Sequence, residues 1–414
     1  MIRRQSLSVL TSFVGRRKPF LFPACYRLIK NRLFCAPAPK PLVAEAIDAV
    51  TRLELRVNRW PHTLGLSYIW LRDHCKCPDC YDNFTKQRKL DIQKVPLNIR
   101  PASTKTTKEG LEIKWPDGHK SEYTYKYLWQ NTYEGWNASY KNPQRLWKAA
   151  TFPSPQLTTV PLSDILDPKK DGLKRLISSI IVHGLGFISE VSPDVESTRA
   201  AVETISPVRT TFYGTVWSFE DNLERADTAY TNIYLGAHND TTYFTESSRL
   251  QVFHCLKKAP QGGETLLVDG FSVAEEFSAR HPEGYAFLSS AAIPSEYIGD
   301  GQHMATLDTV LKHNPATGCL QQIRYNIYDR APLSSIPLEK IHEFYLHMRN
   351  IGKIVRNPAY EYWLQLEPGT VLIIDNWRLM HGRNAYSGPR IMGGCYISND
   401  DFTSKARVLG IQIN

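Results

Sequence analysis

Alternating apolar and polar positions mark the first folded part of the chain. Residues 52–71 follow this two-residue period, which is typical of half-buried strands. Residues 111–128 repeat the pattern around a Pro-Asp-Gly turn at 116–118. We therefore predict a small β-rich domain over residues 45–130. The stretch 131–155, rich in Asn, Pro, Gly and Trp, is predicted to be a linker.

A different pattern begins near residue 156. Residues 171–183 have helical spacing and stop at Gly184, a short strand GFISEV follows, and residues 193–205 form a second amphipathic segment. From residue 228 onward, short β-branched and aromatic runs dominate, with helical insertions at about 272–290 and 337–350. Many strands with few crossover helices favour a barrel or sandwich over a doubly wound sheet. Residues 156–414 are therefore predicted to form a mainly β domain with helical insertions.

The charge is concentrated at the N-terminus. Residues 1–44 contain nine basic residues and no acidic one, so the remainder of this +9 chain is close to neutral. A nucleic-acid partner would need the positive charge on the folded part, and we expect none. An Arg-rich, acid-free start is typical of a mitochondrial transit peptide, with a basic tail without address as the alternative. No apolar run is long enough to predict a membrane span.

Two histidines and one aspartate suggest a metal site. His238 and Asp240 are two residues apart after a strand-like run, so their side chains share one face, and His381 follows on a late strand. Such a set is the facial triad of iron(II) oxygenases, which leaves positions open for a bidentate co-substrate and oxygen. Arg390, on the next strand, suits the distal carboxylate of 2-oxoglutarate. An H-x-D motif by itself is more often a pair of surface residues than a metal site. His254 is an alternative ligand that lacks a neighbouring carboxylate.

A cysteine cluster suggests a second metal site. Cys75, Cys77 and Cys80 form a C-x-C-x₂-C knuckle, and three thiolates need a fourth ligand for tetrahedral zinc. A disulfide is the weaker interpretation in a reducing compartment. His74 is adjacent, but neighbouring side chains on an extended chain point apart.

The order H-x-D, a long interval, then His and Arg resembles the 2-oxoglutarate oxygenases with a double-stranded β-helix (jelly-roll) fold. Specifically, it resembles the γ-butyrobetaine dioxygenase family. The match extends over residues 50–410 through WLRDHCKCPDCY, FYGTVW, DTAYT, HNDTTYF, TLLVDGF, IRYN and DNWRLMHGR. The resemblance implies a mononuclear iron(II) dioxygenase with 2-oxoglutarate as co-substrate, ascorbate to keep the iron reduced, and a homodimer. It also implies that His119, in WPDGH, completes a structural zinc site, with three free thiols as the alternative.

The same resemblance implies a substrate with a trimethylammonium group. Such a cation has no hydrogen-bond donor and is held by aromatic rings, at about 0.5–2 kcal/mol for each ring. The cage positions of the family are all aromatic here: Tyr213, Trp217, Tyr230 and Tyr396. Core packing is the alternative role for any one of these rings.

Members of this family act on trimethyllysine or on γ-butyrobetaine. Asp227, in DTAYT, resembles the trimethyllysine enzymes and would pair with the α-ammonium that γ-butyrobetaine lacks. Asn326 would donate to the substrate carboxylate. The transit peptide points the same way, because in this family the trimethyllysine enzyme is the mitochondrial one. We therefore expect hydroxylation of free trimethyllysine at carbon 3 in the mitochondrial matrix. The alternatives are a γ-butyrobetaine hydroxylase and an inactive, zinc-bearing structural protein.

Overall fold

The computed structural model describes residues 44–139, 142–219 and 231–413, and the chain divides into two units at Asn142 and Pro143. The predicted transit peptide lies outside the described residues, except for its last residue. Within the described residues, no helix has both the length and the apolar character needed to cross a membrane.

Over its described residues, the first unit contains small antiparallel sheets and three short helices. Its elements are β1 (Ala44–Asp48), β2 (Arg52–Val57), β3 (Leu64–Ser67), α1 (Tyr68–Asp73), β4 (Tyr81–Asp82), β5 (Gln87–Arg88), a 3₁₀ turn (Ile92–Lys94), β6 (Ser103–Thr106), β7 (Gly110–Lys114), β8 (Lys120–Thr124), α2 (Tyr125–Asn131) and α3 (Tyr133–Ser139). Strands β1-β2-β3 and β6-β7-β8 form two three-stranded sheets that share one apolar core.

Two parts of this unit differ from the sequence-based prediction. The end of 52–71 is helical, because Tyr68, Leu71 and Arg72 become buried together at helical spacing in α1. The end of 111–128 is also helical, because the Thr124 hydroxyl accepts from the Tyr127 amide at 3.1 Å and caps α2. A short alternating run does not distinguish the two-residue period of a strand from the period of a helix. The segment predicted as a linker contains α3.

The second unit is larger. Its first half contains a 3₁₀ turn (Ala149–Thr151), α4 (Pro155–Thr158), β9 (Thr159–Pro161), α5 (Leu162–Leu166), α6 (Gly172–His183), β10 (Leu185–Ser189), α7 (Val195–Glu203), β11 (Val216–Phe219), β12 (Leu235–His238), β13 (Leu250–Lys257), β14 (Gln261–Gly262) and β15 (Thr265–Asp269). Its second half contains α8 (Gly270–Arg280), α9 (Pro282–Leu288), β16 (Ala292–Gly299), β17 (Gln302–Thr309), β18 (Leu311–His313), β19 (Leu320–Ile323), α10 (Leu338–Val355), β20 (Tyr362–Leu364), β21 (Val371–Asp375), β22 (Leu379–Arg383), β23 (Tyr386–Ser387), β24 (Ile391–Ile397) and α11 (Asn399–Val408).

Two sheets form the body of this unit. The larger has the order β11-β24-β13-β21-β10-β9 and the smaller β12-β22-β15-β20, with β9–β10 as the one parallel pair within them. Leu372 and Ile374 of β21 pack in one cluster with Leu267 of the smaller sheet, while Val371 and Ile373 pack against the helices behind. Both faces of β21 are therefore buried, which explains why its sequence is continuously apolar. The predicted double-stranded β-helix is confirmed.

The main predicted helices are also confirmed. Helix α6 ends at Gly184, whose φ of 83° lies in the left-handed region where glycine is favoured. Among the β-branched and aromatic runs after residue 228, QQIRYNIY (residues 321–328) is a strand only at its start, because β19 ends at Ile323. The Asn239 side chain accepts from the Tyr325 amide at 3.0 Å there, and the chain turns into the 325–329 loop (Tyr325-Asn326-Ile327-Tyr328-Asp329).

Candidate active site

The three predicted metal ligands meet because strands β12 and β22 pair. His238 ends β12 and lies opposite His381 in the antiparallel register, with ring centroids 4.5 Å apart. Asp240 follows in the loop after β12. Its Oδ1 lies 3.2 Å from Nε2 of His238 and 3.7 Å from Nε2 of His381. One oxygen and two ring nitrogens therefore converge on one point.

Hydrogen bonds orient two of these ligands. Nδ1 of His238 lies 2.8 Å from the Gly236 carbonyl, and donation there leaves Nε2 with its lone pair. Oδ2 of Asp240 accepts from the Gln251 amide and, at 3.0 Å, from the Tyr396 hydroxyl, while Oδ1 faces the histidines. The donor set therefore fits a single divalent cation with two nitrogen ligands and one monodentate carboxylate.

Electrostatics agree with that donor set. Burial lowers the pKa of His381 to about 3. Burial alone would raise the pKa of Asp240, but the His381 and His238 imidazoles hold it well below its ordinary value. Burial opposes protonation of His238, yet the hydrogen bond with Asp240 outweighs it and raises the pKa. A cation bound at this point would displace that shared proton.

Asn376 holds the Asp240 backbone in place. Its Oδ1 accepts from the Asp240 amide at 3.0 Å, and its Nδ2 donates to the carbonyls of Asp240 and Ser248 at 3.0 Å each. Sequence reasoning missed this residue, although it lies inside DNWRLMHGR. An amide side chain that satisfies three backbone groups is recognised only once the strands are assembled.

A cavity of about 270 Å³ opens over the metal set. It brings together the predicted residues Tyr213, Trp217, Tyr396, Asn326 and Arg390. Asp227 and Tyr230 lie outside the described residues. The lining also contains residues that sequence reasoning did not single out for the site: Phe219, Leu235, Gln251, Phe253, Thr265, Tyr297, Tyr328, Asp329, Gly382, Arg383 and Met392. For Gln251 and Phe253, the two-residue period of β13 was an available signal.

Aromatic rings form one wall of this cavity. The Trp217 ring lies 6.1 Å from that of Tyr396 and 6.3 Å from that of Phe253. The Tyr213 hydroxyl is 2.9 Å from that of Tyr243. Trp217 reaches this position because its strand partner is Gly394, where a Cβ would lie 2.1 Å from Cη2 of the indole.

Among the described residues, two arginines line the cavity. The Arg390 guanidinium is buried and lies 5.2 Å from the Tyr386 ring centroid, and that of Arg383 lies 5.0 Å from the same centroid. Nη2 of Arg383 donates to the carbonyls of Thr231 and Ile233 at 2.6 and 3.0 Å. Arg383 is thus bound to backbone carbonyls.

Asn326 lines the cavity and also has partners inside the protein. Its Nδ2 donates to the Asn239 carbonyl at 3.0 Å and to Oδ2 of Asp329 at 2.7 Å. Its Oδ1 accepts from the amides of Tyr328 and Asp329. Both amide hydrogens therefore have partners inside the protein, and Asn326 orders the 325–329 loop.

His254 lies outside the metal set. It is fully buried, and its Nδ1 lies 2.8 Å from the Thr198 hydroxyl. Because Gln251 and Phe253 face the cavity, the two-residue period of β13 turns His254 to the opposite side of the sheet.

The first unit contains a second group that could hold a metal: Cys75, Cys77, Cys80 and His119. Nε2 of His119 lies 3.4, 3.6 and 3.5 Å from the three sulfurs. Tetrahedral zinc, with bonds of about 2.3 Å to sulfur and 2.0–2.1 Å to nitrogen, requires about 3.5 Å between these atoms. His74 is not part of the group, because its Nδ1 bonds the Trp70 carbonyl at 2.8 Å.

Burial shifts the pKa values of two residues in this group. Burial raises the pKa of the Cys80 thiol to about 11, although Arg72 lies 3.2 Å from its sulfur. Burial lowers the pKa of His119, so its imidazole is neutral. The thiols are free and form no disulfide. The arrangement therefore supports metal binding by thiolates that a bound cation would stabilise.

Comparison with known families gives two matches along the chain. The "Taurine catabolism dioxygenase TauD, TfdA family" matches residues 145–396, and "Gamma-butyrobetaine hydroxylase-like, N-terminal" matches residues 52–129. Each match lies within one structural unit.

Relatives match over most of the chain. The mitochondrial trimethyllysine dioxygenase of Homo sapiens is 41% identical over 353 residues, 84% of this chain and 84% of the relative. The trimethyllysine dioxygenase of Neurospora crassa is 36% identical over 383 residues, 83% of this chain and 80% of the relative. A solved taurine dioxygenase from Burkholderia xenovorans covers 57% of this chain and 84% of its own, with 15% identity and a TM-score of 0.45.

Proposed function

This chain belongs to the trimethyllysine dioxygenase family, and we propose that it hydroxylates free N6-trimethyllysine at carbon 3. The co-substrates are 2-oxoglutarate and O₂, and the products are 3-hydroxy-N6-trimethyllysine, succinate and CO₂. The observation that carries this proposal is the convergence of His238, Asp240 and His381 beneath an aromatic-lined cavity that also contains a buried arginine.

His238, Asp240 and His381 would hold one Fe(II). The iron supplies the activation of O₂ and the oxidative decarboxylation of 2-oxoglutarate, and ascorbate would keep it reduced. The protein provides the ligand set and the orientation of each ligand. Gly236 fixes the His238 ring, and Gln251 with Tyr396 holds the outer oxygen of Asp240.

Arg390 would bind the distal carboxylate of 2-oxoglutarate. Its guanidinium is buried at the cavity, where a planar fork can pair with a carboxylate through two parallel hydrogen bonds. Exclusion of water strengthens that pairing. Thr265 also lines the cavity, where it pairs with Arg383 between strands β15 and β22. Its hydroxyl would be a further hydrogen-bond donor for the same carboxylate.

Tyr213, Trp217 and Tyr396, with Tyr230, would bind the trimethylammonium group. A permanently charged, methylated nitrogen cannot form a salt bridge through hydrogen bonds, so ring faces are its matching surface. Binding of the trimethylammonium group would fix one end of the substrate. The position of that end sets how far the substrate chain extends toward the metal ligands.

Succinate release separates the substrate hypotheses. Iron is loaded anaerobically, oxygen is admitted, and succinate is measured with trimethyllysine, with γ-butyrobetaine and without substrate. We expect the largest release with trimethyllysine. A preference for γ-butyrobetaine would contradict the substrate assignment. Release with neither amine above the substrate-free level would favour the inactive structural protein.

Asp227 provides a finer test. Since γ-butyrobetaine has no α-ammonium, Asp227→Asn should lower turnover of trimethyllysine selectively. An equal loss on both amines would exclude the proposed pairing with the α-ammonium.

Cys75, Cys77, Cys80 and His119 are proposed to bind a structural zinc. The sulfur–nitrogen distances of 3.4 to 3.6 Å support this. Elemental analysis should find one zinc for each chain, lost in Cys77→Ser and kept in Cys319→Ser, whose cysteine is outside the group. Purified protein without zinc would contradict the assignment.

We also propose that the protein acts in the mitochondrial matrix as a homodimer. The acid-free, basic segment 1–44 supports the location. The homodimer follows from the family resemblance alone, and sedimentation equilibrium would test it: a single species of one-chain mass would exclude it.

A further inference from the structure

Hydroxylation at carbon 3 of trimethyllysine restricts where the α-ammonium of the bound substrate can lie. The α-nitrogen is two single bonds from carbon 3, about 2.5 Å, whereas the trimethylated nitrogen is four bonds away, about 5 Å. Since carbon 3 must lie beside the metal ligands, the group that binds the α-ammonium must also lie close to them. It must be on the side away from the aromatic cage.

Asp329 lines the same cavity as the three metal ligands. Within the described part of the chain, the carboxylates that line the cavity are those of Asp240 and Asp329. Oδ1 of Asp240 faces the histidines, and its Oδ2 is held by Gln251 and Tyr396. Asp240 is thus committed to the metal set, and Asp329 is the other negative charge that a bound cation would meet there.

The position of Asp329 is fixed against the metal-binding motif. Asn326 donates to Oδ2 of Asp329 at 2.7 Å and, through the same nitrogen, to the Asn239 carbonyl at 3.0 Å. Asn239 lies between the two ligands His238 and Asp240. Two hydrogen bonds in series therefore tie the Asp329 carboxylate to the backbone of the H-x-D motif.

The rest of the 325–329 loop is held equally firmly. Asn239 and Tyr325 exchange hydrogen bonds of 2.8 and 3.0 Å, and the Gly236 amide donates to the Tyr328 hydroxyl at 2.9 Å. The Tyr328 ring stands edge-on to His238, with centroids 5.6 Å apart. A carboxylate on a loop fixed in this way is preorganised to bind a cation beside the metal ligands.

We propose that Asp329 is the specificity residue that binds the α-ammonium of the substrate. The inference rests on the proposed function, because it concerns how the same site distinguishes trimethyllysine from amines without an α-amino group. Asn326 is then a positioning residue that orients Asp329. A carboxylate has about four acceptor positions, so it can accept from Asn326 and from an ammonium at the same time.

The test compares trimethyllysine with 6-(trimethylammonio)hexanoate, which has the same length, carboxylate and cation but no α-amino group. The measured quantity is the ratio of kcat/KM for the two compounds. In Asp329→Asn the ratio should fall about tenfold or more, as expected for the loss of a charge-assisted hydrogen bond. A general defect in folding or iron loading cancels from the ratio.

Two variants serve as comparisons. Asp171→Asn removes an exposed carboxylate whose side chain caps no helix amide, and it should leave the ratio unchanged. Asp227→Asn, for which a selective loss of trimethyllysine turnover is also expected, shows whether the effect of Asp329→Asn is separate from that of Asp227. A ratio that falls with Asp227→Asn but not with Asp329→Asn would overturn the proposal.

Binding without turnover gives an independent measurement. With Mn(II) in place of iron and with 2-oxoglutarate present, quenching of tryptophan fluorescence reports the dissociation constants of both compounds. Asp329→Asn should weaken trimethyllysine and leave the deaminated compound within about twofold. If wild-type protein turns over trimethyllysine but Asp329→Asn weakens both compounds equally, this assignment alone fails. If wild-type protein neither binds nor turns over trimethyllysine, the proposed function fails with it.

Discussion

Individual side chains at this site have two tasks, one toward the ligand and one toward the protein. Tyr396 presents its ring to the cavity and its hydroxyl to the outer oxygen of Asp240, at 3.0 Å. The same residue would therefore contact the substrate cation and orient an iron ligand.

Tyr396→Phe separates the two tasks, because the ring remains and the hydrogen bond is lost. A hydrogen bond to an ionised group contributes about 1.5–3 kcal/mol, so we expect Mn(II) to bind about tenfold more weakly or worse. The free Mn(II) signal in electron paramagnetic resonance measures this. Tyr243→Phe is the matched control, since that hydroxyl bonds to Tyr213 and not to a metal ligand. Equal affinity in both variants would contradict the role of Tyr396.

Strand β24 shows how an element shapes the site. Gly393 and Gly394 are adjacent in this strand and face opposite sides of the sheet. At Gly394 a Cβ would lie 2.1 Å from the Trp217 indole and 2.3 Å from the Val252 carbonyl, whereas at Gly393 the nearest atom is Cδ1 of Leu256, at 3.3 Å.

We therefore expect Gly394→Ala to displace Trp217 and to cost about 1–3 kcal/mol of unfolding free energy. Substrate affinity should fall as well. Gly393→Ala should cost less, because the end of a leucine side chain can move. Urea unfolding of the two variants, followed by tryptophan fluorescence, makes the comparison. Similar losses would show that the contact with Trp217 is not the cause.

A buried ion pair joins several elements of the second unit. Arg378 donates to both oxygens of Asp269, at 3.1 and 2.7 Å, and to the carbonyls of Val182 and Arg145. Asp269 also accepts from the amides of Phe271 and Trp147, and so begins helix α8. Asp269 lies in TLLVDGF and Arg378 lies in DNWRLMHGR, two of the segments that carried the family resemblance. The ion pair gives both residues a structural role.

Removal of one partner should be severe. Arg378→Met leaves the Asp269 charge buried and unneutralised, which typically costs about 3–5 kcal/mol. Arg280→Met breaks an exposed pair with Glu276 and should cost less than about 1 kcal/mol. Thermal and urea unfolding measure both. A loss below about 1 kcal/mol in Arg378→Met would contradict this account.

For the whole molecule, the distribution of charge is more informative than its sum. All of the formal excess of +9 can be assigned to residues 1–44, so the part that follows carries no net positive charge. The segment therefore should act as an address and not as part of a binding surface.

A fusion of residues 1–44 to a fluorescent protein should enter mitochondria, because import depends on a basic, acid-free presequence. The same fusion with its nine basic residues changed to Gln should remain outside. Fluorescence microscopy with a mitochondrial dye distinguishes the two results. If the basic fusion also stays outside, the segment is a tail without address.

The sequence by itself determined the parts that are local. His-x-Asp spacing, the C-x-C-x₂-C knuckle and the helix 171–183 depend on neighbours along the chain, and the family resemblance added His119 and the aromatic cage positions. Local patterns were insufficient where two periods fit equally well, as in 68–73, which is helical.

Only the tertiary structure decided which side chains share the cavity. Gln251, Asp329 and Arg383 come from separate strands and loops, and the register of β12 with β22 brings the two histidines together. The tertiary structure also determines the hydrogen-bond partners of Asn326. Its amide nitrogen donates to the Asn239 carbonyl and to Asp329, and these groups become neighbours only when the 325–329 loop packs against Asn239. Strand register is set by packing of both sheet faces over the whole unit, and no single segment encodes it.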